Sequence, residues 1–431
     1  MSVLLYPPFL QWEICSECNH KCIHCYNYWR ADNIPVEQCD NYLNIADKII
    51  ERKPLYVAIT GGEPLLVFPK VKECIDKFTA CGITVSISTN GTLITEEIAR
   101  YLSEKKVDLV ISLPSINKEV CDQVCCANNV VDKLSKVWPL LKKYHITTNV
   151  NVVINKLNIS TLYETLTAIK ELDFIARVGM AQRPINASSE YLKYELDKND
   201  FNYIVKQVIK AKKELNLQID FSVCMPDCAF SDPHELKAVE KGDCFGGTLA
   251  YAVCTNGDIK ACQCDTMVYG NILKDPFEKV YEKMVAWRDG SLIPPACEGC
   301  KRLDSCRGGC RVESFANKDD YKGLPSFADV EHVPDILEND EEEIIDYSNV
   351  SRFEVNPETV FLKDLQCYRV SVGIVPTHLS FEFAEWLMTH RLFSFDDLVK
   401  DCEIPDEEVN LVLNLLYKNE IIKPIELKKI I

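Results

Sequence analysis

The chain has 431 residues, of which 47% are hydrophobic and 26% are charged, as in an ordinary globular protein. Its formal net charge of -17 argues against a nucleic-acid partner, because the phosphates would be repelled. No apolar run approaches the roughly 18 residues that a membrane helix needs, and the first residues show no basic leader with a cleavage site. We therefore expect a cytoplasmic protein with no membrane partner.

Short β-rich segments alternate with amphipathic helical segments between residue 10 and about residue 215. The six predicted strands begin at Leu10, Tyr56, Thr84, Val107, Thr147 and Ala176. This alternation predicts parallel strands joined by helical crossovers. Six such units indicate an α/β fold, a partial (β/α)6 barrel of the TIM type over residues 1–223, with the chemistry at the carboxyl ends of the strands.

The pattern changes after residue 223. Residues 224–330 are rich in cysteine, glycine and short turns, and residues 331–350 form an acidic segment that predicts a linker. In residues 351–431 the segments SRFEVN and TVFLKDLQCYRVSVGIV predict a small antiparallel sheet. FEFAEWLMTH and PDEEVNLVLNLLYKNE predict helices, the second capped near Asp406, so these residues are expected to form a separate small domain.

The cysteine content is unusual for a long chain without a leader, because 22 residues are cysteine. Such usage favours metal binding in a reducing compartment over a disulfide framework. The scattered cysteines are expected to be small buried hydrophobic side chains. They are Cys39, Cys74, Cys81, Cys121, Cys125, Cys126 and Cys402.

Three cysteines with ligand-like spacing follow the first predicted strand: Cys18, Cys22 and Cys25, in the order C-x3-C-x2-C. Three thiolates can hold a [4Fe–4S] cluster and leave one iron open to a small molecule. The same thiols could instead bind zinc, with His20 or His24 as the fourth ligand.

Two further motifs end predicted strands. Gly61-Gly62-Glu63-Pro64 ends the second strand and Ser88-Thr89-Asn90-Gly91 ends the third, while Ser112 ends the fourth. Glycines allow close approach of the backbone, and Glu63 offers an anionic acceptor for an ammonium group.

With these motifs in this order, the first half of the chain resembles the radical S-adenosylmethionine (SAM) superfamily. The resemblance implies that Cys18, Cys22 and Cys25 bind a catalytic [4Fe–4S] cluster whose open iron holds SAM. An electron donor such as flavodoxin or ferredoxin would then allow formation of a 5′-deoxyadenosyl radical. The residues implied to contact SAM are His24, Tyr26, Gly61, Gly62, Glu63, Pro64, Ser88, Asn90, Ser112 and Arg183. His24 departs from the family pattern, in which this position is usually aromatic.

The second cysteine-rich segment combines C-x12-G-x4-C with C-x2-C-x5-C-x3-C. It resembles the SPASM extension of radical SAM peptide maturases, which implies two auxiliary [4Fe–4S] clusters and three clusters in all. By this resemblance Cys244, Cys262 and Cys310 bind auxiliary cluster I, and auxiliary cluster II is bound by Cys297, Cys300 and Cys306. A zinc ribbon is the alternative, because paired C-x2-C motifs also suit tetrahedral zinc.

The fourth ligands of these clusters are less well defined by the sequence. Cys228 is expected to complete cluster I, and its rivals are Cys224, Cys254 and Cys264. For cluster II, the family has a cysteine where this chain has Ser326. The alternatives are Cys367, an oxygen ligand such as Asp320, or an open iron.

The C-terminal domain resembles the winged-helix recognition element, or RRE, that binds leader peptides of ribosomally made and modified peptides (RiPPs). A DNA-binding winged helix is the alternative, which the acidity of the chain disfavours. We expect the strand region from Phe361 to Tyr368 to present an exposed edge that an extended leader can join.

These resemblances favour a peptide maturase that abstracts hydrogen from a ribosomally made precursor peptide carrying a leader, and then forms a crosslink, most simply a thioether. Another branch of SPASM enzymes is the alternative: carbon–carbon or carbon–oxygen crosslinking, epimerisation, or maturation of a quinone cofactor, haem or sulfatase. A non-enzymatic iron–sulfur or zinc-binding protein is the third possibility.

Overall fold

The structure is a computed structural model. It describes residues 3–4, 7–27, 40–222, 224–337, 347, 350–356, 359–362, 366–369, 377–378, 381–402, 404–418 and 421–427. The chain divides into two compact units, Pro8–Ile336 and a second unit that joins Met1–Pro7 to Leu337–Ile431. Within the described ranges, no helix combines the length and the apolar character that crossing a membrane requires.

The strands are β1 (Val3–Leu4), β2 (Phe9–Cys15), β3 (Tyr56–Gly61), β4 (Thr84–Thr89), β5 (Asp108–Ser112), β6 (Thr148–Ile154), β7 (Ile175–Met180), β8 (Ile219–Phe221), β9 (Ala250–Val253), β10 (Asp258–Lys260), β11 (Gly270–Asn271), β12 (Val350–Val355), β13 (Thr359–Leu362), β14 (Gln366–Arg369), β15 (Thr377–His378), β16 (Leu392–Phe393) and β17 (Ile422–Leu427). The α-helices are α1 (Tyr42–Glu51), α2 (Phe68–Ala80), α3 (Glu96–Glu104), α4 (Lys118–Cys125), α5 (Val130–Lys143), α6 (Leu162–Glu171), α7 (Lys198–Leu215), α8 (Pro233–Val239), α9 (Phe277–Lys283), α10 (Leu303–Cys306), α11 (Arg311–Lys318), α12 (Phe381–Thr389), α13 (Phe395–Cys402) and α14 (Asp406–Lys418).

One ten-stranded sheet organises the larger unit, in the order β11-β10-β9-β2-β3-β4-β5-β6-β7-β8. All neighbours from β9 to β8 are parallel, and α1 to α7 are the crossovers between β2 and β8. The six predicted strands are β2 to β7, which confirms the parallel α/β prediction. Strands β8 to β11 were missed because they are only two to four residues long, too short for a readable hydrophobic period.

The helices bury one apolar face against this sheet. In α2 the buried side chains are Val71, Cys74, Ile75 and Phe78, at helical spacing, and the Phe78 ring packs edge-on against Trp12 of β2. Cys74 is therefore a core residue, as predicted.

The other scattered cysteines divide into three cases. Cys121 and Cys125 are buried on α4, as predicted, and Cys402 is half-buried. The same prediction is wrong for Cys81 and Cys126, which are exposed because each lies just after the last residue of its helix. Cys39 lies outside the described residues.

The smaller unit contains an antiparallel sheet in the order β16-β12-β17. Together with α12 to α14 it encloses a core of buried side chains that includes Phe353, Leu387, Phe393, Leu398 and Leu413. Such a contiguous core indicates that these elements form a compact unit with its own interior. Most of the predicted acidic linker, residues 338–346 and 348–349, lies outside the described residues.

The second sheet of this unit corrects the predicted edge strand. Its order is β1-β13-β14-β15, so β13 pairs with β1 on one side and β14 on the other, while β14 lies between β13 and β15. The prediction of an exposed edge from Phe361 to Tyr368 is therefore wrong. The missing neighbour was the N-terminal strand β1, whose pairing no local pattern near residue 361 could reveal.

Candidate metal centres

The loops that follow β2, β3, β4 and β5 meet at one edge of the sheet, because parallel strands present their carboxyl ends on the same side. The C-x3-C-x2-C segment occupies the loop after β2. The backbone N–H groups of Lys21 and Ile23 donate to carbonyl oxygens at the end of α4, with N···O distances of 3.1 and 3.0 Å. The loop is thus held against α4 by main-chain hydrogen bonds that do not depend on a metal.

The three thiols of this loop share one site. Cys18 is exposed, while Cys22 and Cys25 are half-buried. Partial burial raises the pKa of the Cys18 thiol to about 11, and the neighbouring charges of Glu63, Cys22 and Cys25 contribute in the same direction. Three thiols whose thiolate forms would repel one another are a donor set that a positively charged iron–sulfur core or a zinc ion would satisfy.

Two further metal-binding side chains lie beside Cys22. The ligand atoms of His20, Cys22 and Cys125 all lie within 4.8 Å of one another, and a hydrogen bond from the Cys125 thiol is the main reason that the pKa of Cys22 is lowered. His20 was already a candidate zinc ligand, whereas Cys125 was missed because it reaches the loop from α4, a hundred residues away. His24 is half-buried, and burial lowers its pKa, which favours a neutral imidazole.

The Gly61-Gly62 turn packs directly against the cysteine loop. The N–H of Gly62 donates to the Cys15 carbonyl at 2.7 Å, and a Cβ placed on Gly62 would lie only 2.0 Å from the Glu17 carbonyl oxygen. A Cβ on Gly61 would lie 2.4 Å from the Cys15 carbonyl oxygen. The two glycines are thus required for the contact between two loops of this chain.

Glu63 is buried and joins two of these turns. Its Oε1 accepts hydrogen bonds from the Leu65 N–H at 3.0 Å and the Thr89 hydroxyl at 2.6 Å, while Oε2 accepts from the Asn90 N–H at 2.8 Å. Burial raises the pKa of this carboxyl. Pro64 begins the short 3-10 turn that follows. The carboxylate therefore holds the turn after β4 in place, and its contact with a SAM ammonium group stays a prediction.

The turn after β4 also reaches the cysteine loop through an amide pair. The Asn90 Nδ2 donates to Asn19 Oδ1 at 2.7 Å, next to Cys18. Asn19 was not singled out by the sequence, since a lone asparagine in a loop carries no signal of its own. Ser88 is half-buried within β4, and Ser112 is exposed at the end of β5. All these positions lie at the carboxyl edge of the sheet, where they were expected.

The remaining two predicted SAM contacts have protein partners. The Tyr26 hydroxyl lies 3.2 Å from Glu13 Oε1 and 3.5 Å from Gln263 Oε1, so it links the cysteine loop to the segment between Cys262 and Cys264. Arg183 follows β7, and its Nη1 lies 3.7 Å from a Glu195 carboxylate oxygen. Their roles toward SAM stay predictions.

A first group of thiols in the cysteine-rich segment contains Cys244, Cys262 and Cys310, as expected, together with Cys224. A hydrogen bond from the Cys224 thiol lowers the pKa of Cys244 to about 7, and the same bond raises the pKa of Cys224, with smaller contributions from Cys310 and Cys262. Cys264 forms a hydrogen bond with Cys262 and lies at the border of the group.

A second group contains Cys228, Cys297, Cys300 and Cys306, which line one cavity of about 460 Å³. Burial raises the pKa of Cys228 to about 11, and the nearby Cys306 and Cys297 raise it further. The structure therefore places Cys228 with the thiols expected at cluster II, whereas the sequence had assigned it to cluster I. The assignment of Cys228 differs from the prediction because the side chains of Cys224 and Cys228, four residues apart, belong to different thiol groups.

The donor chemistry of the three groups fits iron–sulfur binding. One loop offers three thiols and each of the other two groups offers four, and thiolates are the ligands of both [4Fe–4S] clusters and structural zinc. Cys367 lies on β14 in the smaller unit.

Residues 12–169 match the family model described as the radical SAM superfamily. Two known proteins are similar over most of the chain. The AdoMet-dependent heme synthase of Methanosarcina barkeri is 26% identical over 336 residues, which cover 73% of this chain and 94% of the relative. The mycofactocin maturase MftC of Mycobacterium tuberculosis is 28% identical over 331 residues, which cover 74% of this chain and 81% of the relative.

Two solved structures share the fold. The anSMEcpe structure with bound AdoMet and Kp18Cys peptide has a TM-score of 0.60 at 22% identity, covering 75% of this chain and 94% of that chain. Streptococcus suis SuiB bound to the precursor peptide SuiA has a TM-score of 0.58 at 17% identity, covering 76% of each chain. At these identities the likeness establishes the fold alone.

Proposed function

We propose that the chain, whose residues 12–169 match the radical SAM family model, is a radical SAM enzyme that modifies a ribosomally made precursor peptide recognised through a leader. The observation that carries the proposal is the cysteine loop at the carboxyl edge of the sheet, packed on the Gly61-Gly62 turn and followed by two further thiol groups. A single catalytic cluster would not account for the clustering of thiols in those two groups.

In this proposal Cys18, Cys22 and Cys25 hold the catalytic cluster, which together with SAM supplies a 5′-deoxyadenosyl radical when reduced. The chain's own contribution is positional. Glu63, Asn90 and Asn19 tie the turns after β3 and β4 to the cysteine loop through hydrogen bonds of 2.6 to 3.0 Å. This network fixes the surroundings of the loop before any cofactor binds.

The peptide substrate is supported by the similar proteins and by the selectivity that the radical chemistry demands. One similar protein is named a maturase, and two structures of the same fold were solved with peptides bound. A radical that attacks unactivated carbon does not discriminate between targets, so selectivity has to come from holding the substrate in place. An extended peptide offers the backbone contacts for that purpose.

We assign leader binding to the smaller unit. It has a core of its own around Phe353, and among the described strands the antiparallel order β16-β12-β17 has β16 and β17 at its edges. An extended leader can add to such an edge through main-chain hydrogen bonds. This replaces the edge around Phe361 that the sequence had predicted.

For the bond formed, a thioether is the leading proposal. The 5′-deoxyadenosyl radical would take one hydrogen atom from a peptide carbon. A cysteine sulfur would then attack that carbon, with loss of the thiol proton and of one electron. The product is a carbon–sulfur bond in a peptide that has lost two hydrogens. The auxiliary clusters would accept that electron. Haem formation is the second candidate, because the heme synthase is among the similar proteins.

The test is label transfer from a deuterated peptide. Reconstituted enzyme, SAM, a strong reductant and a candidate precursor peptide should give deuterated 5′-deoxyadenosine and a peptide that has lost one deuterium and one hydrogen. Cys300→Ala should retain SAM cleavage but lose the peptide product. If no label passes from a precursor peptide to 5′-deoxyadenosine and no peptide is altered while a haem precursor is consumed, the peptide proposal is wrong and the second candidate stands.

Removal of residues 337–431 tests leader binding separately. We expect peptide binding to weaken 10- to 1000-fold, about 1.4 to 4 kcal/mol, while SAM cleavage without peptide is largely retained. Equal affinity of the full chain and the shortened chain for the peptide would show that the smaller unit does not bind the leader.

A further inference from the structure

We infer that Cys228 supplies the fourth thiol of the second auxiliary cluster, so that both auxiliary clusters are fully ligated by thiols of the larger unit. The inference rests on the proposed function, since it presupposes that the second thiol group binds a cluster. It assigns Cys224 to the first group as a consequence.

The cavity lined by Cys228, Cys297, Cys300 and Cys306 is the first support. The last three thiols come from the C-x2-C-x5-C stretch, whose turns are closed by main-chain bonds from Cys300 N–H to Cys297 and from Cys306 N–H to Arg302, at 3.1 and 2.9 Å. Cys228 reaches the same space from a 3-10 turn about 70 residues earlier. Four thiols around one cavity meet the ligand requirement of a [4Fe–4S] cluster.

The turn that carries Cys228 is packed against the turn between Cys306 and Cys310. The Asp227 N–H donates to Cys306 Sγ at 3.2 Å, and a Cβ on Gly309 would lie 2.9 Å from the Pro226 nitrogen. Both segments are C-x3-C, and each sends one thiol to each group. In residues 224–228 the first thiol goes to the first group, whereas in residues 306–310 the first thiol goes to the second group. The two segments thus bridge the groups in opposite directions.

A buried ionic network fixes this turn. Asp227 is 3% exposed, and its carboxylate lies 3.2 Å from Lys241 Nζ and 3.3 Å from Arg302 Nη1. The Ser305 hydroxyl donates to it at 3.3 Å. A buried carboxylate with cationic and hydroxyl partners orients its neighbours, since leaving it unpaired would be costly. Cys228 is therefore placed before any metal binds.

The two oxygen candidates for this ligand position, Ser326 and Asp320, are engaged elsewhere. The Ser326 hydroxyl accepts a hydrogen bond from Asn317 Nδ2 at 2.9 Å and lies beside Glu313, on the side of the first thiol group. Asp320 is exposed, and its carboxylate accepts the Lys322 N–H at 2.8 Å within its own turn. Neither side chain lines the cavity of the second group.

Iron counting in double variants tests the inference. Anaerobically reconstituted wild type should hold about 12 irons, roughly four per cluster. Cys228→Ala should lose between one and four of these, and a variant that loses one should show the electron paramagnetic resonance signal of a [3Fe–4S] cluster. Adding Cys228→Ala to Cys300→Ala should cause no further loss, whereas adding it to Cys244→Ala should, because groups that serve one site are not additive. Cys81→Ala, an exposed cysteine outside the groups, and Ser326→Ala are the matched controls and should keep all iron.

Alkylation of the wild type provides a second readout that does not depend on the folding of a variant. Chelated protein should be labelled at Cys228, and reconstituted protein should be protected there together with Cys297, Cys300 and Cys306, while Cys81 is labelled in both. Full protection of those three with continued labelling of Cys228, or full iron retention in Cys228→Ala, would overturn the inference. A wild type that holds only about four irons would instead refute the auxiliary clusters themselves.

Discussion

Replacement of Glu63 by glutamine tests whether its carboxylate organises the site. The Glu63 carboxylate is the acceptor in all three of its side-chain hydrogen bonds. The Leu65 and Asn90 N–H groups donate to opposite oxygens, and the Thr89 hydroxyl donates to the same oxygen as Leu65. The Thr89 oxygen itself accepts from the Gly91 N–H at 2.9 Å, so its hydrogen is committed to Glu63. A glutamine NH₂ group, in either orientation, would therefore face a buried backbone N–H.

The expected loss of stability follows from that clash. A buried hydrogen bond to a charged group contributes about 1.5 to 3 kcal/mol, and an unmade bond to a buried donor costs a similar amount. For a unit of this size we expect Glu63→Gln to lower the unfolding temperature by roughly 3 to 8 °C.

The assay is calorimetry of the chelated protein, which removes the contribution of bound clusters. Glu17→Gln is the matched control, because it makes the same change of charge on an exposed side chain in the neighbouring cysteine loop. If the two variants unfold at the same temperature, the carboxylate network does not hold the turns together.

Three further predictions follow from the packing of each unit. Gly62→Ala should disrupt the cysteine loop and lose most iron of the catalytic cluster by iron counting, because its Cβ would lie 2.0 Å from the Glu17 carbonyl oxygen. The control Gly82→Ala has nothing within 4 Å of its Cβ, so it should keep the iron and lower the unfolding temperature only slightly. Phe353→Ala should destabilise the smaller unit by about 3 to 5 kcal/mol, measured by its calorimetric transition, because the ring is fully buried, whereas Leu392→Ala, at a 54% exposed side chain, should have little effect. Hydrogen bonds from Ser394 hold the pKa of Asp397 below its ordinary value. These bonds therefore stabilise the folded state fully at a pH above the ordinary pKa of an aspartate, and this stabilisation is lost as the pH falls through the lowered pKa of Asp397. Asp397→Asn should remove this acid sensitivity from the transition of the smaller unit, and an unchanged pH profile would contradict the assignment.

The sequence predicted the parallel strands well because strands such as β3 and β4 are bounded by glycine turns and alternate with amphipathic helices. It also located the C-x3-C-x2-C loop, since its three thiols are close in the chain and follow a strand. Local spacing carries this information in both cases.

What the sequence did not reveal depends on contacts between distant segments. The separation of Cys224 from Cys228 is fixed by the buried pairing of Asp227 with Lys241 and Arg302, which no spacing encodes. Cys125 reaches the neighbourhood of Cys22 only because α4 packs beneath the loop. The edge around Phe361 is covered by β1, a strand of only two residues that lies 358 residues earlier in the chain.

SAM cleavage is the most direct test of the central claim, that the loop of Cys18, Cys22 and Cys25 holds the catalytic cluster. Anaerobically reconstituted wild type should convert SAM to 5′-deoxyadenosine and methionine under a strong reductant, and Cys81→Ala should do the same at an equal rate. Cys25→Ala should produce no 5′-deoxyadenosine, because two thiols cannot retain the cluster with its open iron. Continued cleavage by Cys25→Ala, or a wild type that binds zinc in place of iron and leaves SAM intact, would contradict the claim.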